Sequence, residues 1–423
     1  MMIMDFSTHL ENLKKADKEV YESIVREVER QKNTLELIPS ENVVSAAVME
    51  AQGSVLTNKY SEGYPGKRYY GGNHFIDETE QMAIDRAKKL FRADHANVQP
   101  LSGAVMNIAT YFALLEPGDT ILGMDLGHGG HLTHGHPVTH MFKVFNFVRY
   151  KTDLENGGDI DYDNLKEMAI EHKPKLILAG FSAYTKTLDW KKFKEIADEV
   201  GALTMADVSH IGGLIAARVL ENPLDFGFDV MTTTTHKTLR GPRGGLILCK
   251  EEHAKAIDKS IFPGLQGGPL EHVIAAKAVA FKEALDPSFK KYQEQVLKNA
   301  KAMEKGLLDN DITLVFGGTE NHMLLLDLRP DEIKGKEVES VLDECGLCAN
   351  KNAIPDDDAS PLNPNGLRIG VPVITTRGLL EDDCYKVGEL IAKVIKNISD
   401  EKVHDEVRLE VKELCEKYPI YET

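Results

Sequence analysis

The 423-residue chain has no apolar run near the roughly 20 residues that a helix needs to cross a bilayer, so no membrane-spanning helix is expected. Residues 1–10 include Asp5 and have neither a basic start nor a long apolar core, and no secretory leader is expected there. Cysteine is scarce: Cys249, Cys345, Cys348, Cys384 and Cys415 are scattered and odd in number. Such a set does not make a disulfide framework and fits a reducing cytoplasm. Cys345-Gly-Leu-Cys348 has redox or zinc spacing, but no second pair completes a four-thiolate site, and ordinary buried thiols are expected. Positive charge is also short. Fifty Lys and Arg against 67 Asp and Glu leave a net charge of −17, which argues against nucleic acid as a partner. The 42% hydrophobic and 28% charged fractions are ordinary for a globular protein, and the length suffices for two domains.

What is present centres on Thr232-Thr233-Thr234-Thr235-His236-Lys237, followed by Thr238-Leu239-Arg240-Gly241-Pro242-Arg243-Gly244-Gly245. Four β-branched threonines favour an extended strand, and the glycines and proline then force a turn. Read alone, Lys237 is either a strand-end lysine leaning into solvent or a reactive amine at the edge of a buried sheet. A partly desolvated lysine near other cations can form an imine.

Helix and strand patterns alternate through the middle of the chain. Helices are expected from Thr79 (a cap) to Phe91, from Ser102-Gly103 to Leu115, and over Trp190–Val200, where Gly201 ends the pattern. Strands are expected at Thr120–Leu122, Lys175–Gly180, Ala202–Ala206 and Gly244–Cys249. The alternation implies an α/β fold with a mainly parallel sheet covered by helices on both faces. Ser182, Asp207 and Lys237 then fall just past strand ends, on one edge of the sheet. A helical stretch after Glu271 leads to a smaller α+β region with strands near Ile312–Phe316, Met323–Leu328 and Gly366–Gly370. Two helices follow, over Leu379–Ile398 and Asp400–Glu416. Residues from about Leu10 to Lys32 read as an amphipathic helix.

Two stretches stand outside this pattern. Asn58–Gly72 is rich in glycine, proline and tyrosine and cannot build a core, so its tyrosines and Glu62 need another explanation. His128-Gly-Gly-His131-Leu-Thr-His134-Gly-His136 puts four histidines in nine residues. Read alone it fits metal ligation as well as it fits other roles, although no suitably placed carboxylate stands out.

The lysine motif resembles that of the serine hydroxymethyltransferases. The resemblance continues through Glu36-Leu-Ile-Pro-Ser-Glu-Asn42, Asn58–Gly72, His128–His136 and Phe262–Leu270, in the family's order and over nearly the whole chain. It implies a pyridoxal-phosphate fold of type I: an N-terminal helical arm (1–55), a large cofactor-binding α/β domain (56–285) and a small C-terminal α+β domain (286–423). It further implies a homodimer with shared active sites, or a tetramer built on it. Serine and glycine would be the substrates, a tetrahydrofolate or methanopterin-type carrier the co-substrate, and neither a metal nor a membrane is implied.

Carried over residue by residue, the resemblance gives Lys237 the cofactor's covalent link and Asp207 its ring nitrogen. His131 would stack on the ring and His210 would lie near its 3-oxygen. Ser102 and Gly103 would hold the phosphate at a helix start. Ser182, Thr234, His236 and Arg243 would complete the cofactor's surroundings, with Tyr60, Gly267 and Gly268 arriving from the neighbouring subunit. Arg368 would grip the amino-acid carboxylate, assisted by Ser40, Tyr60 and Tyr70, and Glu62 would move protons. Glu62, Tyr69, Leu126, Gly130, Leu132, Asn352 and, across the dimer, Phe262 match pterin-holding positions. The sequence departs from the family at Ala104, where a second phosphate-binding hydroxyl residue is usual. For single residues plainer roles compete: Asp207 as a helix cap, Leu132 and Phe262 as core. The rival functions are a pterin-independent aldolase acting on β-hydroxy amino acids, a metal enzyme built on the histidines, and a non-catalytic scaffold or RNA-binding protein.

Overall fold

The computed structural model describes residues 10–421; residues 1–9, on which the leader reading bears, lie outside them. The chain divides into two compact units. One is Ala47–Glu294, and the other joins the described residues up to Ala46 with those from Gln295 onward.

The unit Ala47–Glu294 is built on seven strands: β1 (His95–Asn97), β2 (Thr120–Met124), β3 (Asn146–Tyr150), β4 (Leu176–Gly180), β5 (Leu203–Asp207), β6 (Val230–Thr234) and β7 (Gly245–Cys249). Their order is β1-β7-β6-β5-β4-β2-β3. Neighbours from β6 through to β3 are parallel, while β7 runs antiparallel to both β6 and β1. Every residue of β4, β6 and β7 is buried, so these strands read as unbroken runs, as expected where both faces of a sheet are covered. The expected α/β architecture is therefore present.

Helices α1 (His74–Phe91), α2 (Gly103–Leu114), α3 (Tyr162–His172), α4 (Trp190–Val200) and α5 (Glu271–Ala284) belong to the same unit. Their ends follow local chemistry. Asp189 caps α4 by accepting from the Lys192 N–H at 3.0 Å, and Gly201 closes it in the left-handed conformation. α2 is pinned by its apolar faces. Met106 and Ala109 pack with Val230, Ile247 and Cys249, and Tyr111 packs with Ile121, Leu176, Leu178 and Met205. Burying each large apolar side chain contributes about 1.5–3 kcal/mol, which fixes the start of α2 against the carboxyl end of β6.

Pairing aligns Gly180, Asp207 and Thr232 across three strands, so the carboxyl ends of β4, β5 and β6 are level. Gly180 has φ +148, and a Cβ there would sit 2.3 Å from the Asp207 carbonyl oxygen. Only glycine lets β4 turn away at this height without displacing β5.

The second unit carries an antiparallel sheet of β8 (Met323–Asp327), β9 (Asn350–Asn352) and β10 (Gly366–Gly370) in the order β8-β10-β9. Helices Gly335–Glu344, Glu381–Lys396 and Glu401–Lys417 accompany it. Arg377 joins the two chain segments of this unit, donating to the carbonyls of Gln31, Lys32 and Thr34 and to those of Cys415 and Tyr418.

Several sequence expectations are corrected. α1 starts at His74 rather than Thr79, whose hydroxyl donates to the Phe75 carbonyl at 3.0 Å instead of capping. The N-terminal helix is broken at Asp17, which caps the segment Lys18–Asn33. The strand expected at Ile312–Phe316 is reduced to a single bridge between Leu314 and Leu326. Phe316 at φ 62, followed by Gly317 and Gly318, turns the chain away there. β1, β3 and α3 were not anticipated.

Gly180→Ala should lower stability by ~1–3 kcal/mol through overpacking against Asp207. The measurement is the denaturant midpoint of the cofactor-free protein, which should fall; an unchanged midpoint would show that the close approach is unimportant.

Candidate active site

The carboxyl edge of the sheet borders a small cavity lined by Gly103, His131, Phe181, Asp207, Ser209, His210, Thr234 and Lys237. Asp207 is 5% exposed and accepts four hydrogen bonds. Asn107 Nδ2 (2.8 Å) and His134 Nε2 (3.0 Å) reach its Oδ2, while the Ser209 hydroxyl (2.6 Å) and N–H (3.1 Å) reach Oδ1. Burial alone would raise this carboxyl's pKa. The hydrogen bond and charge of His134, the nearby His131 and Ser209 outweigh it and hold the group well below the usual carboxylate range. Asp207 is thus an anion at neutral pH and caps no helix.

The same asparagine orients the histidine. Asn107 Oδ1 accepts from the Thr232 hydroxyl (2.9 Å), and its amide donates to Thr133 Oγ1 (2.9 Å). Thr133 in turn donates to His131 Nδ1 (2.8 Å), which also accepts from the Thr133 N–H (3.2 Å). An acceptor at Nδ1 places the neutral ring's proton on Nε2. His134 Nδ1 likewise accepts from the His131 N–H (3.2 Å), so its Nε2–H donates to Asp207. The four histidines do not converge on one point: His128 Nδ1 pairs with Thr152 Oγ1 at 2.9 Å, and His136 accepts from the Val138 N–H. Among the described residues, the group of three whose ligand atoms come together is Asp229, Glu252 and His253. There Asp229 already accepts from Lys250 and Thr204.

Lys237 is buried at the end of the β6 run, in the turn closed by the Arg240 N–H to the Lys237 carbonyl (3.0 Å). His236 beside it accepts weakly from the Gly244 N–H at 3.4 Å. Burial, then the charges of Arg243, Lys237 and Lys277, push the His236 pKa down to about 3, so the ring is neutral. Arg243 itself is exposed. Ser102 caps α2 from just outside the cavity lining, accepting from the Val105 N–H at 3.4 Å, and the Ser182 N–H donates to the Gly129 carbonyl at 2.7 Å. Thr234 Oγ1 donates to the Ser209 carbonyl at 3.4 Å, and the His210 carbonyl accepts from Thr238.

A second cluster forms elsewhere in the same unit. The Tyr60 hydroxyl donates to Glu62 Oε1 (3.2 Å), and Tyr60 and Tyr70 meet edge to face with centroids 4.9 Å apart. A Cβ on Gly267 would lie 3.3 Å from Glu62 Oε1, and one on Gly268 would lie 3.4 Å from the Tyr60 ring. Tyr69 and Phe262 pair at 5.5 Å. Tyr60, Tyr69 and Tyr70 are 55%, 74% and 49% exposed. None of these residues lines the Lys237 cavity. Leu126 and the exposed Leu132 flank Gly130, where a Cβ would lie 2.2 Å from the Met124 carbonyl oxygen.

Ser40, Asn352 and Arg368 lie in the other unit. Arg368, on β10, is buried and donates to Asn350 Oδ1 through Nε (3.2 Å) and Nη2 (3.1 Å). Burial lowers its pKa to about 10, leaving it charged at neutral pH. The Gly370 N–H at the end of β10 bonds the Leu37 carbonyl (2.7 Å), which brings the turn holding Ser40 to that strand. Asn352 donates to the Ala353 carbonyl. All five cysteines are buried free thiols, and burial pushes Cys348 up to about 12.

The family model "Serine hydroxymethyltransferase" matches residues 13–391. The chain belongs to the serine hydroxymethyltransferase family. A protein of that name from Francisella tularensis subsp. novicida is 57% identical over 418 residues, covering 98% of this chain and all of the relative. Another from Francisella philomiragia is 56% identical over the same span. Serine hydroxymethyltransferases have the pyridoxal-phosphate fold of type I and use that cofactor, with a tetrahydrofolate-type pterin as co-substrate. The cavity suits the cofactor by its donor chemistry: an amine, an ionised carboxylate, an imidazole and a helix start border one space. A Cβ on Gly103 would lie 2.8 Å from Thr234 Cγ2, so the helix start meets the lysine strand with no side chain between them.

Asn107, Thr133, His134 and Ser209 were missed from sequence. The available clue was Asn107, a lone amide in the apolar run Ala104–Ala109 of α2.

His236 sets a pH dependence. Its folded pKa of about 3 lies below the unfolded value of about 6.5, so the unfolded chain binds the proton first. Stability should fall as pH drops from about 6.5 toward 3, whereas Asp207 contributes the same sign only below about 4. His236→Gln should flatten the upper part of that decline in pH-dependent unfolding; an unaltered curve would refute the assignment.

Proposed function

We propose that this protein is a glycine hydroxymethyltransferase. It would reversibly transfer the serine hydroxymethyl carbon to a tetrahydropterin, giving glycine and the methylene-pterin. The carrier is tetrahydrofolate or a methanopterin-type pterin. The observation that carries this reading is the pairing, in one cavity, of a buried strand-end lysine with a buried carboxylate kept ionised.

Lys237 would hold the cofactor's aldehyde carbon, Asp207 its ring nitrogen, and His131 its ring face. His210 and Thr234 would border the ring, with Ser182 and His236 beside it. Ser102 and Gly103 would take the phosphate at the start of α2, where backbone N–H groups and the helix dipole favour an anion. When bound, pyridoxal phosphate accepts the electron pair released as the Cα–Cβ bond breaks. Asp207 serves that chemistry by staying anionic, and its partners keep it so. Arg368 would receive the amino-acid carboxylate, since a guanidinium fork matches it bidentately and is charged throughout the neutral range. Ser40 and Tyr70 would assist. Glu62 would take and return the proton of the hydroxymethyl oxygen, oriented by the Tyr60 hydroxyl. Leu126, Gly130, Leu132 and Asn352 would border the pterin with Tyr69 and Phe262.

The exposed tyrosines support a homodimer. Tyr60, Glu62, Tyr70, Gly267 and Gly268, with the Tyr69–Phe262 pair, form a patch that one chain leaves uncovered, as interaction surfaces are. Seated against the partner's cavity, the patch would complete it. No helix among the described residues is long and apolar enough to cross a membrane, and the free thiols suit a cytoplasmic setting.

Borohydride reduction of the holoenzyme should leave a pyridoxyl tag on the peptide holding Lys237, and a tag elsewhere or none refutes the reading. Glu62→Gln should keep the cofactor's visible band and abolish pterin-dependent turnover while sparing some pterin-free cleavage of β-hydroxy amino acids. Equal loss of both activities would refute the role of Glu62. Ala104→Ser should tighten cofactor binding by about 10- to 100-fold, the equivalent of one charge-assisted hydrogen bond. Equilibrium dialysis measures it, and an unchanged Kd would mean the hydroxyl adds nothing.

A further inference from the structure

The backbone on either side of Glu62 is gripped from beneath. Arg68 Nη1 donates to the carbonyls of Ser61 (2.8 Å) and Gly63 (3.0 Å), and Gln99 Nε2 donates to the Gly63 carbonyl (2.9 Å). The grip is itself held by carboxyl groups. Arg68 bonds Asp77 (2.8 Å) and Glu80 (2.5 Å) and lies 3.6 Å from Glu271. Gln99 also bonds Glu80 (2.7 Å), and the Ser61 hydroxyl donates to Glu271 Oε1 (2.6 Å). Glu80 and Glu271 are fully buried, come from different helices and converge on the same Arg68 Nη2.

One arginine thus serves three carboxyl groups. Both oxygens of Glu80 receive donors, from Gln99 and Arg68. Oε2 of Glu271 is buried and receives no donor among the described residues. A bare buried carboxylate oxygen there, with a second carboxylate on the same arginine, would be costly; a proton on it removes the charge and lets it donate. We propose that Glu80 and Glu271 share one proton and that this carboxyl–carboxylate pair, acting through Arg68 and Ser61, is the positioning element for Glu62. The positioning role rests on the proton-transfer role proposed for Glu62.

The groups around the pair are Arg68 and Tyr64 of the hairpin Gly63–Arg68, Asp77 of α1 (which bonds Arg68) and Lys277 of α5. Burial first, and then the charge of Glu80, raises the Glu271 pKa to about 8. Above that pH the pair becomes two anions under one arginine. Arg68 is then drawn toward Glu271, and the Ser61 and Gly63 carbonyls lose their fixed donor.

Glu271→Gln tests this, because an amide is a neutral donor of similar shape with no proton to lose. Infrared difference spectra of the holoenzyme between neutral and strongly alkaline pH should show a buried carboxyl C=O band. It should titrate near pH 8 in the native protein and be missing from the variant. No band, or one that survives the substitution, overturns the shared proton. The alkaline fall of pterin-dependent kcat/KM should move up by about one pH unit or more in the variant, with the pterin-free cleavage profile unmoved. Coincident alkaline limbs overturn the positioning role. Glu62→Gln separates the two layers: if it retains pterin-dependent turnover, the role of Glu62 and the positioning claim fall together, while the infrared band stands or falls independently.

Discussion

The site depends on one buried charge. Placing a carboxylate beneath the sheet edge costs several kcal/mol unless donors replace the lost water. Asp207 meets that cost with four donors from three places: Asn107 on α2, His134 in the loop after β2, and Ser209 just beyond β5. Each donor is held by a second bond, so none can leave without leaving another polar group unpaired. The carboxylate therefore does more than face a ligand. It ties α2, the histidine loop and the central strands into one frame, and His131 and Gly103 face the Lys237 cavity because they belong to that frame.

The same unit holds buried acids in two opposite ways. Asp207 is surrounded by amide, imidazole and hydroxyl donors, and the balance keeps it ionised far below the usual range. Glu271 lies beside a second carboxylate with one arginine between them, and the balance reverses, lifting it to about 8. Donor count decides the outcome more than burial, which both share. An ionised acid suits a fixed counter-charge to a ring nitrogen. A shared proton suits a brace, because it satisfies two carboxyl groups while exporting a single negative charge to Arg68.

Five of the seven strands were legible in sequence because they are continuous apolar or β-branched runs, as at Leu176–Gly180. Lys237, Asp207 and Ser182 were legible together because parallel strands deliver their carboxyl ends to one edge. What escaped depends on tertiary contact. His134 looks like its three neighbours until Asp207 is placed against it, and Glu80 and Glu271 look like solvated helix carboxylates until α1 and α5 are packed. The loop 58–72 was read as unable to contribute to a core. It nevertheless buries Ser61 and nearly all of the Arg68 side chain, because a salt-bridged arginine can be interior where a lone one cannot. The strand expected at Ile312–Phe316 failed for a backbone reason that composition does not reveal, the left-handed Phe316.

A chain of net charge −17 that binds a phosphate-bearing anion must gather its cations locally. Lys277 is wholly buried, and no ion pair holds it among the described residues. Its ammonium donates to the carbonyls of Val98 (2.7 Å), Pro100 (3.1 Å) and Gly245 (2.9 Å), joining the segment that leads into α2 to the strand that follows the lysine turn. Burial lowers its pKa to about 7. Its charge adds, after burial and the charges of Arg243 and Lys237, to the forces that keep His236 neutral. That neutrality is useful to the site: a charged imidazole beside Lys237 would add a fourth cation with no partner, whereas a neutral ring packs against the turn without disturbing it. Lys277 thereby sets a buried cation beside the segment that leads into α2, where the helix dipole also favours negative charge.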